Sequence, residues 1–477
     1  MLTRDEYLLK KEKCCEEIKK VNADSFRLDY HLMPQFGWLN DPNGLCQFNG
    51  VYHIYHQYAP FTITNGKNIM WGHYTTKDFI NYVQEEPFIY PDTKDDQDGA
   101  YSGSCLIKDN KMYFYYTGNV KYQDKEYDYI NEGREHNTIL VESNDGYNYQ
   151  QKEVLLVNDD YPKEMTKHVR DPKIYQKDNQ YYMVLGARDK IKGGCLLIYK
   201  SDDLRNFKYY NTIYPKEKFG YMWECPDLIE LNNELFLICC PQGLEQDGDK
   251  YQSVYQNGYF KLKYNFQENK YQLFDFYELD YGFDFYAPQT FCDQKNRTIL
   301  YGWMGIPDAD YTNPTVDNGW QHCLTIPREI INIDGYLYQK PLEELKNLRK
   351  NKKIINDNNL LNLNNNHSYE LILFPENNDF KLQLRKDVFL TYENNVLKLI
   401  MGASGYGRKE RYIIIDEVNK LQIFSDNSSL EIFINDGIKT MTTRTYAYFE
   451  KNDLSLECKK NIMIEFYELD KIKIKGE

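Results

Sequence analysis

The feature of this chain that most restricts its fold is a recurring two-residue turn between short strand-like segments. Asn, Asp and Gly tolerate the positive φ angles that tight hairpin turns require. Such turns stand at Asn49-Gly50, Asp109-Asn110, Asp178-Asn179 and Asn232-Asn233, and a fifth runs through Asn296. The predicted strand pairs are 45–48 with 51–57, 105–108 with 112–117, 173–176 with 181–185, 227–231 with 235–239, and 289–292 with 298–303. The chain is therefore predicted to be a series of antiparallel hairpins.

The spacing of these turns predicts how the hairpins are assembled. Successive turns begin 60, 69, 54 and 64 residues apart, which fits one four-stranded unit with its loops. A second motif, Ser or Thr, Asp two residues later, then Asn followed by an aromatic residue, recurs at 76–82, 143–149 and 201–207. Two repeats in register predict a five-bladed β-propeller. The alternative is an irregular β-sandwich with unrelated hairpins, and the common register disfavours it.

The length of 477 residues indicates more than one domain. Residues 1–25 are predicted to be an N-terminal helical extension, with a charged helix over 4–20, and residues 26–345 the propeller. Residues 346–477 are predicted to be an all-β second domain, a β-sandwich that follows an Asn-rich segment at 356–366. Its predicted strands are 369–374, 380–384, 396–401, 411–416, 421–424, 430–434, 440–446 and 462–469.

Composition excludes several classes of partner. The formal net charge of −14 disfavours a nucleic-acid partner, although it allows a substrate that carries one phosphate. The 11 cysteines are odd in number and include no CxxC pair, so neither a metal site nor a disulfide framework is predicted. The N-terminus lacks the apolar core of a signal peptide, and no apolar run approaches the roughly 20 residues of a membrane span. We therefore expect a cytoplasmic protein with no membrane partner and no metal or organic cofactor; its oligomeric state stays open.

Three acidic residues stand at equivalent places in the predicted blades. Asp41, Asp171 and Glu224 each come just before the first strand of a hairpin, and each is followed by proline within two residues. The first strand of every propeller blade lines the central channel, so these carboxylates are expected to meet at one mouth of it. A single Asp-Pro step is ordinarily a strand-entry turn. Three in equivalent positions indicate a functional site.

Two carboxylates on either side of a bond are the equipment of glycoside hydrolysis. One stays ionised and attacks the anomeric carbon, while the other must keep its proton at the working pH. A third acid paired with a cation would serve as a clamp for sugar hydroxyls. The neighbours expected to determine the protonation states of the three acids are Asn40 and Asn43 for Asp41, Trp223 for Glu224, and Arg170 for Asp171.

Aromatic and hydroxyl side chains near the acids fit a sugar subsite. Trp71 follows the first hairpin, and Trp303 ends the fifth. Tyr101 and Ser102 take the position in the second blade that the acids take elsewhere. For each tryptophan, ordinary burial is an equally good explanation. Cys225 has no histidine partner in its motif, so we interpret it as a wall of the site and not as a nucleophile.

The motifs together resemble glycoside hydrolase family 32, which contains invertases, sucrose-6-phosphate hydrolases and fructanases. The resemblance spans roughly residues 30–470 and rests on 38–44 (WLNDPNG), 101–104 (YSGS), 170–172 (RDP), 224–226 (ECP), 302–304 (GWM), 325–329 (TIPRE) and 428–437 (SSLEIFINDG). It implies a retaining β-fructofuranosidase with Asp41 as nucleophile, Glu224 as acid/base and Asp171 as transition-state stabiliser. It also implies that the fructosyl site is lined by Asn40, Gln57, Trp71, Ser102, Arg170 and Trp303.

One departure bears on the substrate. Many family members carry an extra Trp shortly before the Trp-Gly-His motif, where this chain has residues 64–68 (TNGKN). This loop is similar to those of intracellular sucrose-6-phosphate hydrolases, so sucrose 6-phosphate is the first expected substrate, before sucrose and short fructans. Residues that would hold the phosphate are candidates only: Lys67, Arg134, His136, Lys167 and His168. A fructosyltransferase, an inverting arabinan-cleaving propeller enzyme and a non-catalytic carbohydrate-binding propeller are the alternatives. The last is disfavoured because all three acids are present, and the arabinan enzyme because of the sandwich motif.

Overall fold

A computed structural model describes residues 1–64, 66, 68–360 and 363–476 of the chain. Its N-terminal segment forms α1 (Arg4–Lys11) and α2 (Cys15–Asn22), joined by a 3₁₀ turn at Glu12–Cys14. Thr3 caps α1, because its hydroxyl accepts a hydrogen bond from the Glu6 amide. The predicted extension does not project from the molecule, since Tyr7 is buried against Tyr58 of the first sheet.

In the described part of the chain, five antiparallel sheets follow in chain order, and each is built on a four-stranded meander. The first contains β1 (Gly37–Phe48), β2 (Val51–Ala59), β3 (Met70–Thr76) and β4 (Asn81–Gln84); the second β5 (Ala100–Lys108), β6 (Lys111–Lys121), β7 (Arg134–Ser143) and β8 (Lys152–Leu156). The third contains β9 (Met165–Lys177), β10 (Gln180–Asp189), β11 (Gly193–Ser201) and β12 (Lys208–Ile213); the fourth β13 (Met222–Leu231), β14 (Glu234–Gln242), β15 (Gly258–Asn265) and β16 (Lys270–Glu278). The fifth contains β17 (Tyr286–Cys292), β18 (Thr298–Trp303), β20 (Arg328–Ile333) and β21 (Tyr336–Pro341), while β19 (Trp320–Gln321) joins the first sheet.

The first strands of the sheets form a ring. β1 contacts β5, β5 contacts β9, β9 contacts β13, β13 contacts β17, and β17 returns to β1. β19 pairs in parallel with β1 and so links the end of the ring to its beginning. The β-propeller predicted from the hairpin spacing is confirmed.

The predicted turns occupy their expected places. Both central residues of the turns Asp109-Asn110, Asp178-Asn179 and Asn232-Asn233 have positive φ angles, as the tightest hairpin turns require. The second motif joins the third strand of a sheet to the fourth. In its first copy the Asp78 carboxylate accepts hydrogen bonds from the backbone of Ile80 and Asn81.

The C-terminal part of the chain is a sandwich of two sheets, as predicted. The six-stranded sheet has the spatial order β22 (Arg349–Ile355), β32 (Met463–Leu469), β23 (Tyr369–Phe374), β28 (Leu421–Asp426), β29 (Ser429–Ile434) and β30 (Lys439–Arg444). The five-stranded sheet has the order β27 (Glu410–Ile414), β26 (Val396–Met401), β25 (Val388–Glu393), β24 (Phe380–Arg385) and β31 (Ser455–Cys458). Between the sheets lies one large apolar core. Short 3₁₀ turns lie at Asn158–Asp160, Pro314–Asn318, Glu343–Leu348, Ala403–Gly405 and Asn435–Gly437.

Two features tie the sandwich to the propeller. β33 (Lys473–Lys475) returns after the sandwich and pairs in parallel with β4 at the edge of the first propeller sheet. At the interface, the buried imidazole of His31 contacts Asp426 and Glu431 of the sandwich at 2.7 and 2.9 Å. The boundary predicted near residue 345 falls inside the turn Glu343–Leu348.

The described residues include all 11 cysteines, and every one of them is a free thiol. No helix in the described ranges is long and apolar enough to cross a membrane.

Candidate active site

Each first strand of the propeller carries a bulge at the same height. One extra residue interrupts the pairing of first and second strands between Leu39 and Pro42, and the same shift recurs four more times. The other four lie between Ala100 and Gly103, Arg170 and Lys173, Glu224 and Asp227, and Tyr286 and Gln289. A bulge bends its strand and redirects the side chains beside it. The five bulges therefore aim side chains of five distant segments at one end of the channel.

This geometry corrects one detail of the sequence interpretation. Asp41, Asp171 and Glu224 lie inside long first strands, at the bulges, and not ahead of the strands. Pro42, Pro172 and Pro226 are compatible with this place because a bulge leaves a backbone group outside the ladder. Asp171 itself has a φ of 64°, a strained conformation that the surrounding ring must hold.

Asp41 is surrounded by neutral donors. The Ser102 hydroxyl donates to its Oδ2 at 2.5 Å, and the Asn40 amide donates to its Oδ1 at 3.1 Å. The Cys225 thiol lies 3.7 Å from Oδ2. Gln57 extends this series of hydrogen bonds, since its amide donates to the Ser102 hydroxyl at 3.1 Å. Burial raises the pKa of Asp41 to about 6, although the hydrogen bonds from Ser102 and Asn40 act in the opposite direction.

Glu224 lies between a cation and two neutral donors. Both Nε and Nη2 of Arg170 donate to its Oε1. The Gln242 amide and the Tyr286 hydroxyl each donate to its Oε2 at 2.7 Å. The sequence predicts that Trp223 lies against this carboxylate, but the structure places its ring elsewhere. Neighbouring residues of a strand point to opposite faces, and the Trp223 ring packs in the core against Phe260.

Asp171 is the most deeply buried of the three acids. Its Oδ2 accepts a hydrogen bond from the Cys225 amide at 2.9 Å, and its own amide donates to Thr117 at 2.9 Å. Arg170 approaches Oδ2 only to 4.0 Å. Burial raises the pKa of Asp171 to about 7, because the charge of Arg170 offsets it only in part and Glu224 adds to it. Arg170, the expected charge partner of Asp171, therefore offsets only part of the effect of burial on this carboxyl, because it is hydrogen-bonded to Glu224.

The predicted aromatic residues have different surroundings. Trp303 lies 5.9 Å from Trp38 between ring centroids, and Trp38 donates to the Asn40 side chain at 2.8 Å, so this pair borders Asp41. Trp71 is fully buried between the first two sheets, and its indole donates to the Tyr101 carbonyl at 3.1 Å. Trp71 thus supports the backbone beside Ser102 from behind.

Sequence reasoning missed Tyr286 and Gln242. A signal for Tyr286 was present: Tyr286-Ala287-Pro288 repeats the pattern of Glu224-Cys225-Pro226, and both Cys225 and Ala287 have a φ of 48°. Gln242 ends β14 and has no local motif, so only the register of β13 against β14 reveals it. Of the candidate phosphate ligands, His168 contacts both Arg170 and Arg134, and Lys67 lies outside the described residues.

Comparison with known proteins agrees with this architecture. The glycosyl hydrolases family 32 N-terminal domain matches residues 31–341, and the family 32 C-terminal domain matches residues 344–474. Sucrose-6-phosphate hydrolase of Bacillus subtilis (strain 168) is 37% identical over 455 residues, which cover 91% of this chain and 92% of the relative.

Solved structures give the same result. Sucrose-6-phosphate hydrolase from Lactobacillus gasseri superposes with a TM-score of 0.88 at 30% identity and covers 97% of both chains. A Bombyx mori GH32 β-fructofuranosidase variant, solved in complex with sucrose, has a TM-score of 0.81 at 25% identity and covers 98% of both chains. The chain therefore belongs to glycoside hydrolase family 32 and is a glycoside hydrolase.

Proposed function

We propose that this glycoside hydrolase is a retaining β-fructofuranosidase whose preferred substrate is sucrose 6-phosphate. The observation that carries the proposal is the convergence of Asp41, Glu224 and Asp171 at one level of the propeller channel. Their mutual charge effects agree with this closeness, since Glu224 contributes to the raised pKa values of both aspartates. Paired carboxylates of this kind support cleavage of a glycosidic bond by double displacement.

Asp41 is proposed as the nucleophile. The pKa of about 6 leaves its carboxylate mainly ionised at neutral pH, and Ser102 and Asn40 hold it in one orientation. In the first step one of its carboxylate oxygens attacks C2 of the fructosyl unit and forms a covalent ester. The bond from C2 to the glucosyl oxygen breaks, and its electron pair leaves with that oxygen.

Glu224 is proposed as the acid/base. It gives its proton to the departing glucosyl oxygen, and as a carboxylate it then removes a proton from the water that attacks C2. The donors Arg170, Tyr286 and Gln242 fit the second state, because they stabilise the carboxylate between the two steps.

Asp171 is proposed to bind fructosyl hydroxyls and to stabilise the transition state. With a pKa of about 7 it is partly protonated at neutral pH, so it can accept from one hydroxyl and, when protonated, donate to another. Asn40, Gln57, Ser102, Tyr101 and Cys225 are proposed to complete the fructosyl pocket with Trp303, while Trp71 acts through Tyr101.

The phosphorylated substrate is supported by the names of the relatives, of which the Bacillus subtilis and Lactobacillus gasseri proteins are both called sucrose-6-phosphate hydrolases. A phosphorylated sugar is found inside the cell, so we also propose a cytoplasmic location. The proposed domain division is an N-terminal segment of residues 1–25, a catalytic propeller of residues 26–345 and a sandwich of residues 346–477.

Initial rates on sucrose, sucrose 6-phosphate and inulin, measured side by side, test the proposal. We expect release of fructose from both disaccharides, with kcat/KM at least about tenfold higher for sucrose 6-phosphate, the value of one charge-assisted contact. Fastest release from inulin would instead identify a fructan hydrolase. Accumulation of fructosylated sugars in place of free fructose would identify a transferase.

A further inference from the structure

The wall of the channel beside Glu224 contains a group of cations whose charge is only partly neutralised. We propose that Arg134 is the residue that binds the phosphate of a phosphorylated leaving group, with neutral His168 as the spacer between it and Arg170. This inference rests on the proposed function, since it identifies the specificity determinant of the same site.

The cluster is formed by two neighbouring strands. His168 and Arg170 are two residues apart on β9 and therefore share a face, as do Arg134 and His136 on β7. Nη1 of Arg170 lies 2.6 Å from Nδ1 of His168, and the opposite ring nitrogen, Nε2, lies 3.0 Å from the carbonyl of Tyr129. Nη1 of Arg134 lies 3.3 Å from Nε2 and 3.4 Å from Nδ1 of the same ring.

His168 is neutral in this arrangement. Burial lowers the pKa of its imidazole to about 2, and the charges of Arg170 and Arg134 act in the same direction. The neutral ring can thus accept a hydrogen bond from Arg170 and donate one to the Tyr129 carbonyl. It separates two guanidinium groups without neutralising either of them.

Arg134 differs from Arg170 in having no acidic partner. Arg170 is engaged by Glu224, whereas no carboxylate among the described residues forms an ion pair with Arg134. Its Nε is buried and has no hydrogen-bond partner. A guanidinium in this condition is costly to maintain unless a ligand supplies the missing acceptor.

The position of Arg134 matches the leaving-group side of the site. Glu224, the proposed acid, faces the glucosyl oxygen, and the series Glu224, Arg170, His168, Arg134 leads away from it. The charge of Glu224 acts on Arg134, so the two groups are close.

The charge of the cluster points to an anion. The whole protein has a formal net charge of −14, yet Arg134, Arg170 and Arg188 all act on the single ring of His168. A plain sugar hydroxyl does not require such a cluster. A phosphate monoester does, because a guanidinium binds two of its oxygens at once through parallel N–H groups.

The other candidate cations are less suitable. Lys167 alternates with His168 along β9 and so points to the opposite face of the strand. Burial lowers the pKa of His136 far below its usual range, so it is neutral. Both of its ring nitrogens are buried without a partner, which allows it to add one neutral hydrogen bond to the ligand.

The test compares wild type, Arg134→Gln and Arg134→Lys on sucrose 6-phosphate and on sucrose. We expect the ratio of the two kcat/KM values to fall by about 10- to 100-fold in Arg134→Gln, mostly through KM for the phosphorylated sugar. The ratio for Arg134→Lys should lie between those of wild type and Arg134→Gln, since lysine keeps the positive charge but loses the two parallel N–H donors of the guanidinium. Sucrose turnover should change by less than about threefold, a small fraction of that effect. Lys270→Gln, which removes an exposed charge on β16, serves as the matched control.

A second measurement compares two inhibitors of sucrose hydrolysis. Glucose 6-phosphate should inhibit sucrose hydrolysis by the wild type at least about tenfold more strongly than glucose does. Added salt should reduce this difference in inhibition between the two compounds. In Arg134→Gln most of the difference should be lost.

Three results would overturn the assignment of Arg134 and leave the β-fructofuranosidase intact. The first is an unchanged ratio of the two kcat/KM values in Arg134→Gln. The second is an equal loss of kcat/KM on both sugars, which would mark Arg134 as a positioning residue for Arg170. The third is equal wild-type kcat/KM values for the two sugars. Wild type inactive on both sugars would instead refute the proposed function itself.

Discussion

The guanidinium of Arg170 is hydrogen-bonded to Glu224, 54 residues away in sequence, and only approaches its neighbour Asp171. Its Nε lies 3.1 Å from Oε1 of Glu224 and 4.0 Å from Oδ2 of Asp171. One cation thus stands between two acids and binds the one on the adjacent sheet. Its charge also lowers the pKa that burial gives to Asp171.

Replacement of Arg170 by lysine tests this arrangement. Lysine cannot place two parallel donors on Glu224, so we expect kcat to fall by about 10- to 150-fold, the value of one strong charge-assisted contact. The protein should stay folded, because a positive charge remains near the acids. Arg205→Lys, on a partly exposed arginine that pairs with Glu142 and Glu153, is the control. A kcat near that of wild type would show that the contact with Glu224 has no part in turnover.

Replacement of the two proposed reacting acids should separate activity from stability. We expect Asp41→Asn and Glu224→Gln each to lower kcat by about 10²–10⁴-fold or more. Asp41→Asn should keep or raise the melting temperature, because it removes a buried charge whose desolvation is reflected in the raised pKa of Asp41. Kinetics and thermal unfolding of the same preparations measure both effects. Substantial turnover in a well-folded variant would remove that residue from the mechanism.

The pH dependence of the reaction should report the ionisation of Asp41. Only the deprotonated carboxylate can attack, so kcat/KM should decline as the pH falls through its pKa of about 6. The Ser102 hydroxyl lowers this pKa, so Ser102→Ala should move the acidic limb to higher pH. Ser104→Ala, which removes a hydroxyl bonded to the Pro172 carbonyl, is the matched control. An acidic limb that stays in place in Ser102→Ala would assign it to another group.

The sequence was sufficient for the fold because its turn signals are local. Asp178-Asn179, for example, determines both its hairpin and the register of the two strands, and repetition of such turns predicts the propeller. The sites of the acids followed from the same repetition, because equivalent positions in successive sheets must meet at the channel.

What could not be predicted depends on contacts between distant segments. The direction of Trp223 follows from strand alternation around a bulge whose place becomes visible only in the pairing of β13 with β14. The partner of Arg170 lies in the next sheet. The pairing of β33 with β4 joins the last strand to the first sheet, and no turn motif signals so long a return.

The contact between the domains should give a pH-dependent stability. Burial opposes the charging of His31, but its hydrogen bonds to Asp426 and Glu431 outweigh burial and raise its pKa above the usual 6.5. The folded state therefore binds the His31 proton more tightly than the unfolded chain. This stabilisation is complete below about pH 6.5 and is lost as the pH rises through the raised pKa of His31.

The variant His31→Gln should isolate this effect. It leaves two buried carboxylates without their shared partner, which should cost about 3–5 kcal/mol near pH 6. The difference in melting temperature between wild type and His31→Gln should shrink toward alkaline pH. A constant difference across the pH range would show that His31 is not protonated in the folded protein.

The covalent intermediate is the most direct measure of the proposed mechanism. In Glu224→Ala the base for the second step is missing, so a β-fructofuranosyl substrate with a good leaving group should form the ester and then stall. Rapid acid quench, digestion and mass spectrometry should find one fructosyl group on the peptide that contains residues 38–44, attached to Asp41. A fructosyl group on Asp171, or release of α-fructofuranose by the wild type with no covalent species, would contradict the retaining mechanism with Asp41 as its nucleophile.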